Sequence, residues 1–220
     1  MPETVKRRSQ RATGGERASD GDRRPELVAV AARLFRERGY EATSTQEIAS
    51  EMNIRKATLY HYVRSKEDLL WMVVESPLRE LVDTAAEILS PDNPAPTMQK
   101  LADAMAAHAR SFEAYYPDMF VITQEHGKAL SPKRRREFDA MREEYTALFI
   151  EAVEAGIKSG ELRAELDPRL VVYAMLGMLN WMFRWFTPHR GFAADEVATS
   201  FADLLNRGIN AAPAAKRRGS

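Results

Sequence analysis

Apolar side chains recur at three- and four-residue intervals along most of this chain, the period of a helix with one buried face, and no segment alternates convincingly as a strand would. The pattern predicts nine helices, over residues 25–38, 45–52, 56–62, 66–89, 96–114, 117–128, 132–159, 168–187 and 194–209. Prolines sit at the joints, at Pro91 to Pro96, Pro117, Pro132, Pro168 and Pro188. Ser131-Pro132 and Asp167-Pro168 read as a cap followed by a proline in the first helical turn, where a missing amide proton costs nothing. Gly160 and Gly191 read as stops. The fold class expected is therefore all-α.

The most informative stretch runs from Thr45 to Leu70. Ile48, Ala49 and Met52 give a short helix an apolar face, Asn53 breaks it, and Ile54, Leu59 and Tyr62 can pack a second short helix across it. Ser44 with Glu47, and Ser65 with Asp68, have the spacing of side-chain caps that satisfy the free amides opening a helix. Two short helices across a tight turn form a helix-turn-helix, whose second helix enters the major groove of DNA. Its outward positions, Arg55, Lys56, Ala57, Thr58, Tyr60 and His61, include no acid. Lys56 suits guanine O6 and N7, Gln46 a base edge or a neighbouring phosphate, and the methyl groups of Ala57 and Thr58 a thymine methyl. Thr45, Tyr60 and Lys66 suit phosphates, where they fix register. A solvated face of small helices is the plain alternative for any one of these residues, but spacing, caps, turn and polar content agree for the set.

The run from Leu27 to Leu70 resembles the N-terminal domain of the tetracycline-repressor (TetR) family of bacterial regulators. The likeness is carried by Ala31-Ala32-Arg33-Leu34-Phe35, Arg38-Gly39-Tyr40, Thr43-Ser44-Thr45, Glu47-Ile48-Ala49, Ala57-Thr58-Leu59-Tyr60-His61-Tyr62 and Ser65-Lys66-Glu67-Asp68-Leu69-Leu70. The resemblance implies that Thr45, Tyr60 and Lys66 grip phosphates and that Gln46, Lys56, Ala57 and Thr58 meet bases. Three positions depart from the family pattern. Asn53 replaces the usual turn glycine, a residue type that tolerates the left-handed conformation; Ala57 stands for glycine or proline, and Tyr62 for phenylalanine.

Composition narrows the classes. A 220-residue chain with 45% hydrophobic residues can build one small and one larger domain. The absence of cysteine excludes disulfides and thiolate metal sites and makes a reducing cytoplasm the expected location; His61, His108, His126 and His189 show no zinc-ligand pairing, so no metal or cofactor is expected. Net charge is zero but unevenly spread: residues 1–70 carry 14 Lys+Arg against 11 Asp+Glu, and residues 71–210 carry 15 against 21. Residues 1–24 are expected to be disordered off DNA, with Lys6-Arg7-Arg8, Arg11 and Arg17 serving either as a groove-binding arm or as a plain solubilising tail; the stretch lacks an apolar core of signal-peptide length. Residues 211–220, with Lys216, Arg217 and Arg218, form a basic tail, also expected to be disordered.

The resulting division is 25–70 for DNA binding and 71–210 for ligand binding and dimerisation. The stretch from Pro168 to Thr187 is apolar on nearly every side, yet short for a membrane span and interrupted by Asn180 and Arg184. Together with the amphipathic helix carrying Phe201, Leu204 and Leu205, it is expected to serve as a dimer face through Met178, Trp181, Met182 and Trp185, as TetR relatives use their last two long helices. The resemblance also implies an effector cavity among the middle helices, with Met105, His108, Phe112, Phe120, Gln124, Tyr145, Phe149, Tyr173, Leu176, Gly177, Asn180 and Arg184 as candidate contacts; such stripes equally serve as plain core. Asn180 and Arg184, four apart, are expected to share a buried face, where Arg184 pairs either with an acid such as Glu125, Glu144 or Asp195 or with an anionic ligand. Asn180 to Pro188, with Gly160-Glu161-Leu162-Arg163 and Leu166-Asp167-Pro168, resembles the C-terminal domain of members that answer acyl- or steroid-coenzyme A thioesters. Lys133 to Arg136 meet the phosphates of such a ligand or form a solvated first turn. The function expected is a ligand-responsive repressor on a palindromic operator; the alternative is a helical acyl-binding protein or enzyme without a DNA role. The chain has no Gly-x-Ser-x-Gly elbow, phosphate-binding glycine loop or His-Glu-x-x-His.

Overall fold

The computed structural model describes residues 23–115, 129–187 and 189–209. Among these the chain forms eight α-helices: α1 Arg23–Arg38, α2 Thr45–Glu51, α3 Lys56–Leu59, α4 Lys66–Leu89, α5 Thr97–Ala114, α6 Pro132–Ser159, α7 Pro168–Asn180 and α8 Ala194–Ile209. A 3-10 turn, Trp181–Arg184, continues α7, and the described residues contain no strand, only isolated bridge residues such as the antiparallel pair Thr187 and Arg190. The helix expected over 117–128, with Phe120 and Gln124, the arm as far as residue 22 and the basic tail lie outside the described residues.

Local chemistry sets the boundaries. Ser44 and Glu47 make a reciprocal capping box, with Ser44 N–H donating to Glu47 Oε2 over 2.8 Å and Glu47 N–H to Ser44 Oγ over 3.2 Å. Hydrogen bonding by the Ser44 amide, reinforced by Arg38, holds the Glu47 carboxyl below the usual carboxylate range. Ser65 and Asp68 repeat the device at the start of α4, and Asp167 Oδ1 accepts from the amides of Arg169 and Leu170 at the start of α7. α1 begins at Arg23, so Arg23 and Arg24 belong to the helix and not to the arm; Arg23 donates to the Met52 carbonyl over 3.2 Å.

Helices α1 to α3 and the first turns of α4 close around Leu27, Ala31, Leu34, Phe35, Ile48, Leu59 and Leu69, all buried. The body packs α5 against α4, α6, α7 and α8, with α4 also lying along α6. Near its far end Gly156 admits Thr97 and Leu162, whose side-chain carbons would stand 2.6 to 2.9 Å from any added Cβ.

α4 therefore bridges the two units. It runs unbroken through the buried Pro77, which has no amide to give the preceding turn and is a built-in point of bending. The start of α6 grips the start of α4: Ser131 N–H donates to Glu67 Oε1 over 2.9 Å, Arg134 reaches Asp68 at 2.5 Å, and its guanidinium lies 5.8 Å from the Trp71 ring. The Ser131 hydrogen bond, with the charge of Arg134 behind it, also holds the Glu67 carboxyl below its ordinary range.

Candidate functional site

The turn between α2 and α3 is built from Met52, Asn53 and Ile54. Asn53 takes φ = 53°, the left-handed conformation that the residue tolerates. Ile54 N–H then donates to the Ala49 carbonyl over 2.9 Å, which sets the second helix across the first. α3 is shorter than expected and ends at Leu59; residues 60–62 continue as turns, with His61 N–H donating to the Thr58 carbonyl and Tyr62 N–H to that of Leu59. Leu59 anchors the turn by burying completely.

On the outer side, Gln46, Arg55, Lys56, Ala57, Tyr60 and His61 are exposed and Thr58 is half-buried. Residues 52–66 hold four Lys or Arg and no acid, so the segment that carries α3 is itself positive. Arg33 with Glu51 at 2.5 Å, and Arg38 with Glu47 at 2.8 Å, hold α2 to α1 and keep both acids turned toward α1. A short helix with cations, hydroxyls and a small residue outward, held from behind by one leucine, can enter a wide groove without unfolding anything.

Two residues expected at phosphates also have partners within the chain. Lys66 Nζ donates to the Tyr40 carbonyl over 2.9 Å and to that of Glu41 over 3.4 Å, and lies 4.1 Å from the centre of the Tyr40 ring. It ties the exit of α1 to the start of α4 and is not a free cation. Thr45 is buried, with its hydroxyl 3.4 Å from the Tyr60 phenol, so it positions Tyr60. Sequence reasoning missed both because the partners lie 15 to 26 residues away.

The second exposed surface is apolar. α7 and its 3-10 extension turn Val172, Met175, Leu176, Leu179, Met182 and Phe186 inward. The opposite side presents Leu170, Tyr173, Trp181 and Trp185, joined by Leu204 of α8 and by Phe192, each between 45% and 69% exposed. Trp181, Trp185 and Leu204 were expected on this face; Met178, Phe201 and Leu205 lie half-buried beside it. Met182 was also expected there but is wholly buried in its own subunit. Leu170 and Phe192 were missed, although Leu170 stands three residues before Tyr173.

Continuing the helical spacing of α7 from its buried Val172, Met175, Leu176 and Leu179 carries the inward face to Met182 and Phe186, and the 3-10 turn keeps that facing. Asn180 and Arg184 are exposed, not buried, and Arg184 lies 5.8 Å from the rings of both Trp181 and Phe183. The acids expected to pair with it are engaged elsewhere, Glu144 with Arg79 and Asp195 with Arg110, while Glu125 lies outside the described residues. Tyr173 and Gly177 are likewise exposed and fall on the apolar outer face instead of the interior.

The interior of the body gathers the remaining candidates. Met105, His108 and Phe112 of α5, Tyr145 and Phe149 of α6 and Leu176 of α7 are all buried. Phe186 joins them, its ring 6.5 Å from that of Phe112, and the Tyr145 and Phe149 rings stand 5.1 Å apart edge to face. A buried side-chain pair here places His108 Nδ1 2.9 Å from the Tyr145 hydroxyl. Burial pushes the His108 imidazole down to about 4 and the Tyr145 phenol well above its ordinary value, so both are neutral near pH 7. Of the basic run opening α6, Lys133 pairs with Glu137, Arg134 with α4 and Arg135 with Asp139.

The same arrangement recurs in known proteins. A profile for the bacterial regulatory proteins of the tetR family matches residues 27–71, and one for the tetracyclin repressor-like C-terminal domain matches residues 94–209. PfmR, a TetR family transcriptional regulator from Thermus thermophilus, is 38% identical, covers 82% of this chain and 97% of its own, and superposes with a TM-score of 0.76. The transcriptional repressor KstR2 of Mycolicibacterium smegmatis is 29% identical over 189 residues, 85% of this chain and 90% of its own. AibR, solved in complex with isovaleryl coenzyme A and operator DNA, is 28% identical over 82% of this chain and 96% of its own, with a TM-score of 0.68. Among the described residues no helix is long and apolar enough to cross a membrane. With a helix-turn-helix, an exposed apolar face on its last helices and both profiles matched, this chain belongs to the TetR family of bacterial transcriptional regulators.

Proposed function

We propose that the protein represses transcription as a homodimer on a palindromic operator and is released by an acyl-coenzyme A thioester. The observation that carries this reading is the pairing of two exposed faces of opposite character, the acid-free α3 surface and the apolar surface of α7 and α8. Joining two copies through the apolar face sets two α3 helices on one side of the dimer, where successive major grooves of one duplex can be met together. Gln46, Lys56, Ala57 and Thr58 are assigned to base edges, and Arg55, Tyr60 and His61 to phosphates and groove walls. The thioester is supported by likeness to AibR, whose complex holds isovaleryl coenzyme A, and by an interior that is aromatic and apolar around one neutral polar pair.

Release follows from differential affinity. A ligand that spreads α5 and α6 moves the start of α6, and Ser131 and Arg134 pass that movement to Glu67 and Asp68 at the foot of the DNA-binding unit. The ligand needs only to favour the arrangement in which the two α3 helices miss successive grooves. The test is a duplex selected from a random library by the purified protein, followed in a mobility-shift assay. The expected result is a palindromic consensus, a complex of two chains per duplex, and release by acyl-coenzyme A but not by coenzyme A alone. Hydrolysis of the thioester with no preferred duplex overturns the reading.

A further inference from the structure

The buried His108–Tyr145 pair leaves one atom unaccounted for. His108 is 2% exposed, its Nδ1 is taken by Tyr145, and its own carbonyl accepts from Ser111 Oγ over 2.6 Å, yet Nε2 has neither a partner nor contact with solvent. A buried polar atom without a partner loses its hydration and gains nothing in exchange, so native structures rarely keep one without a use.

The tautomer follows from the pair itself. With Nδ1–H donating to the phenol oxygen, both the phenol proton and the Nε2 lone pair would go unmet. With the phenol O–H donating to Nδ1, only the Nε2–H is unmet, so this is the favoured arrangement. His108 therefore carries an uncharged N–H donor among Met105, Phe112, Phe149 and Phe186. The buried polar side chains are Thr43, Thr45, Thr97, His108 and Ser111, with no buried Lys or Arg among the described residues to neutralise a carboxylate.

From this geometry we infer that His108 Nε2–H is the donor that recognises an uncharged carbonyl oxygen on an apolar effector, with Tyr145 fixing the tautomer. The inference rests on the proposed effector reading and deepens it: the oxygen selected is the thioester carbonyl of the acyl chain, not a phosphate or a free carboxylate. A ketone on an apolar ring system offers the same chemistry. Because the atom is sealed, the effector reaches it only by parting the aromatic wall, and the new hydrogen bond then offsets the cost of opening. That couples recognition of the carbonyl to the change of shape.

The test compares octanoyl-coenzyme A with its octyl thioether, which lacks only the carbonyl, and a steroid ketone with the parent steroid hydrocarbon, by calorimetry on the full chain. Wild type is expected to favour the thioester over the thioether by about tenfold, the worth of one buried hydrogen bond. His108→Phe should bind the thioether as wild type does, lose the preference and melt no lower; His108→Gln, which keeps a donor, should restore part of it. Tyr145→Phe should reduce the preference without abolishing it. Equal binding of thioester and thioether by wild type, or a preference that survives His108→Phe, overturns the inference while leaving the thioester reading intact. His108-dependent selection of the ketone with no thioester binding supports the donor role and overturns the thioester reading. Binding of none of the probes overturns both.

Discussion

The two exposed faces of this molecule are built on the same helical spacing and differ only in what they offer water. The α3 face, with Arg55, Lys56, Ala57, Tyr60 and His61, stays hydrated in the free protein and gives up that water only to a polyanion. The α7–α8 face, with Leu170, Tyr173, Trp181, Trp185 and Leu204, has no good arrangement with water and is stabilised by covering it with another apolar surface. One face awaits an occasional partner and the other a permanent one.

The largest effect expected comes from charging the apolar face. Trp181→Glu combined with Leu204→Glu should leave a folded monomer in analytical ultracentrifugation and weaken operator binding more than about a hundredfold, since each half-site must then be held alone. A dimer that persists would assign the apolar face to a different partner.

Acid separates the interior from both faces. His108 has a folded value of about 4 against an ordinary 6.5, so between those limits the unfolded chain binds the extra proton. Its contribution is fully present above pH 6.5 and is lost as the pH falls through 4, amounting to about 3 kcal/mol at most. Thermal unfolding followed from pH 7 to 4 should show that decline, and His108→Phe should remove this part of it.

Two lysines sharpen the reading face. Lys56→Ala should cost about 1 to 3 kcal/mol on the best operator and relax its base preference, with little change in melting. Lys66→Met should do the reverse, lowering the stability of the DNA-binding unit by about 1 kcal/mol through the lost Tyr40 and Glu41 carbonyl contacts while sparing base preference. Mobility shifts on a set of single-base operator variants, paired with melting curves, distinguish the two outcomes.

The helix-turn-helix was legible because its determinants are local: the caps at Ser44 and Ser65, the left-handed residue at Asn53 and the apolar triplet of α2 all act within four residues. The intramolecular partners of Lys66 and Thr45 were not legible, because fold closure, not spacing, brings them to the carbonyls of Tyr40 and Glu41 and to the phenol of Tyr60. In the body, the nearly unbroken apolar composition of residues 168–187 hid which side faces inward; measured from Val172, Leu176 and Leu179, helical spacing itself places Met182 and Phe186 inside and Arg184 outside. The aromatic interior was legible as apolar; that it would hold a histidine with one nitrogen engaged and the other unmatched was not, since His108 and Tyr145 stand 37 residues apart.

The absence of cysteine gives the most direct test of the central claim, that α3 helices from two copies lie in successive major grooves. Ala57→Cys, at an exposed position on α3, provides a single attachment point for a copper-phenanthroline cleavage reagent. On the selected operator the account predicts two clusters of cuts, one per half-site, with centres about one helical turn or a multiple of it apart and at major-groove positions. A single cluster, or cutting without preferred position, would contradict it.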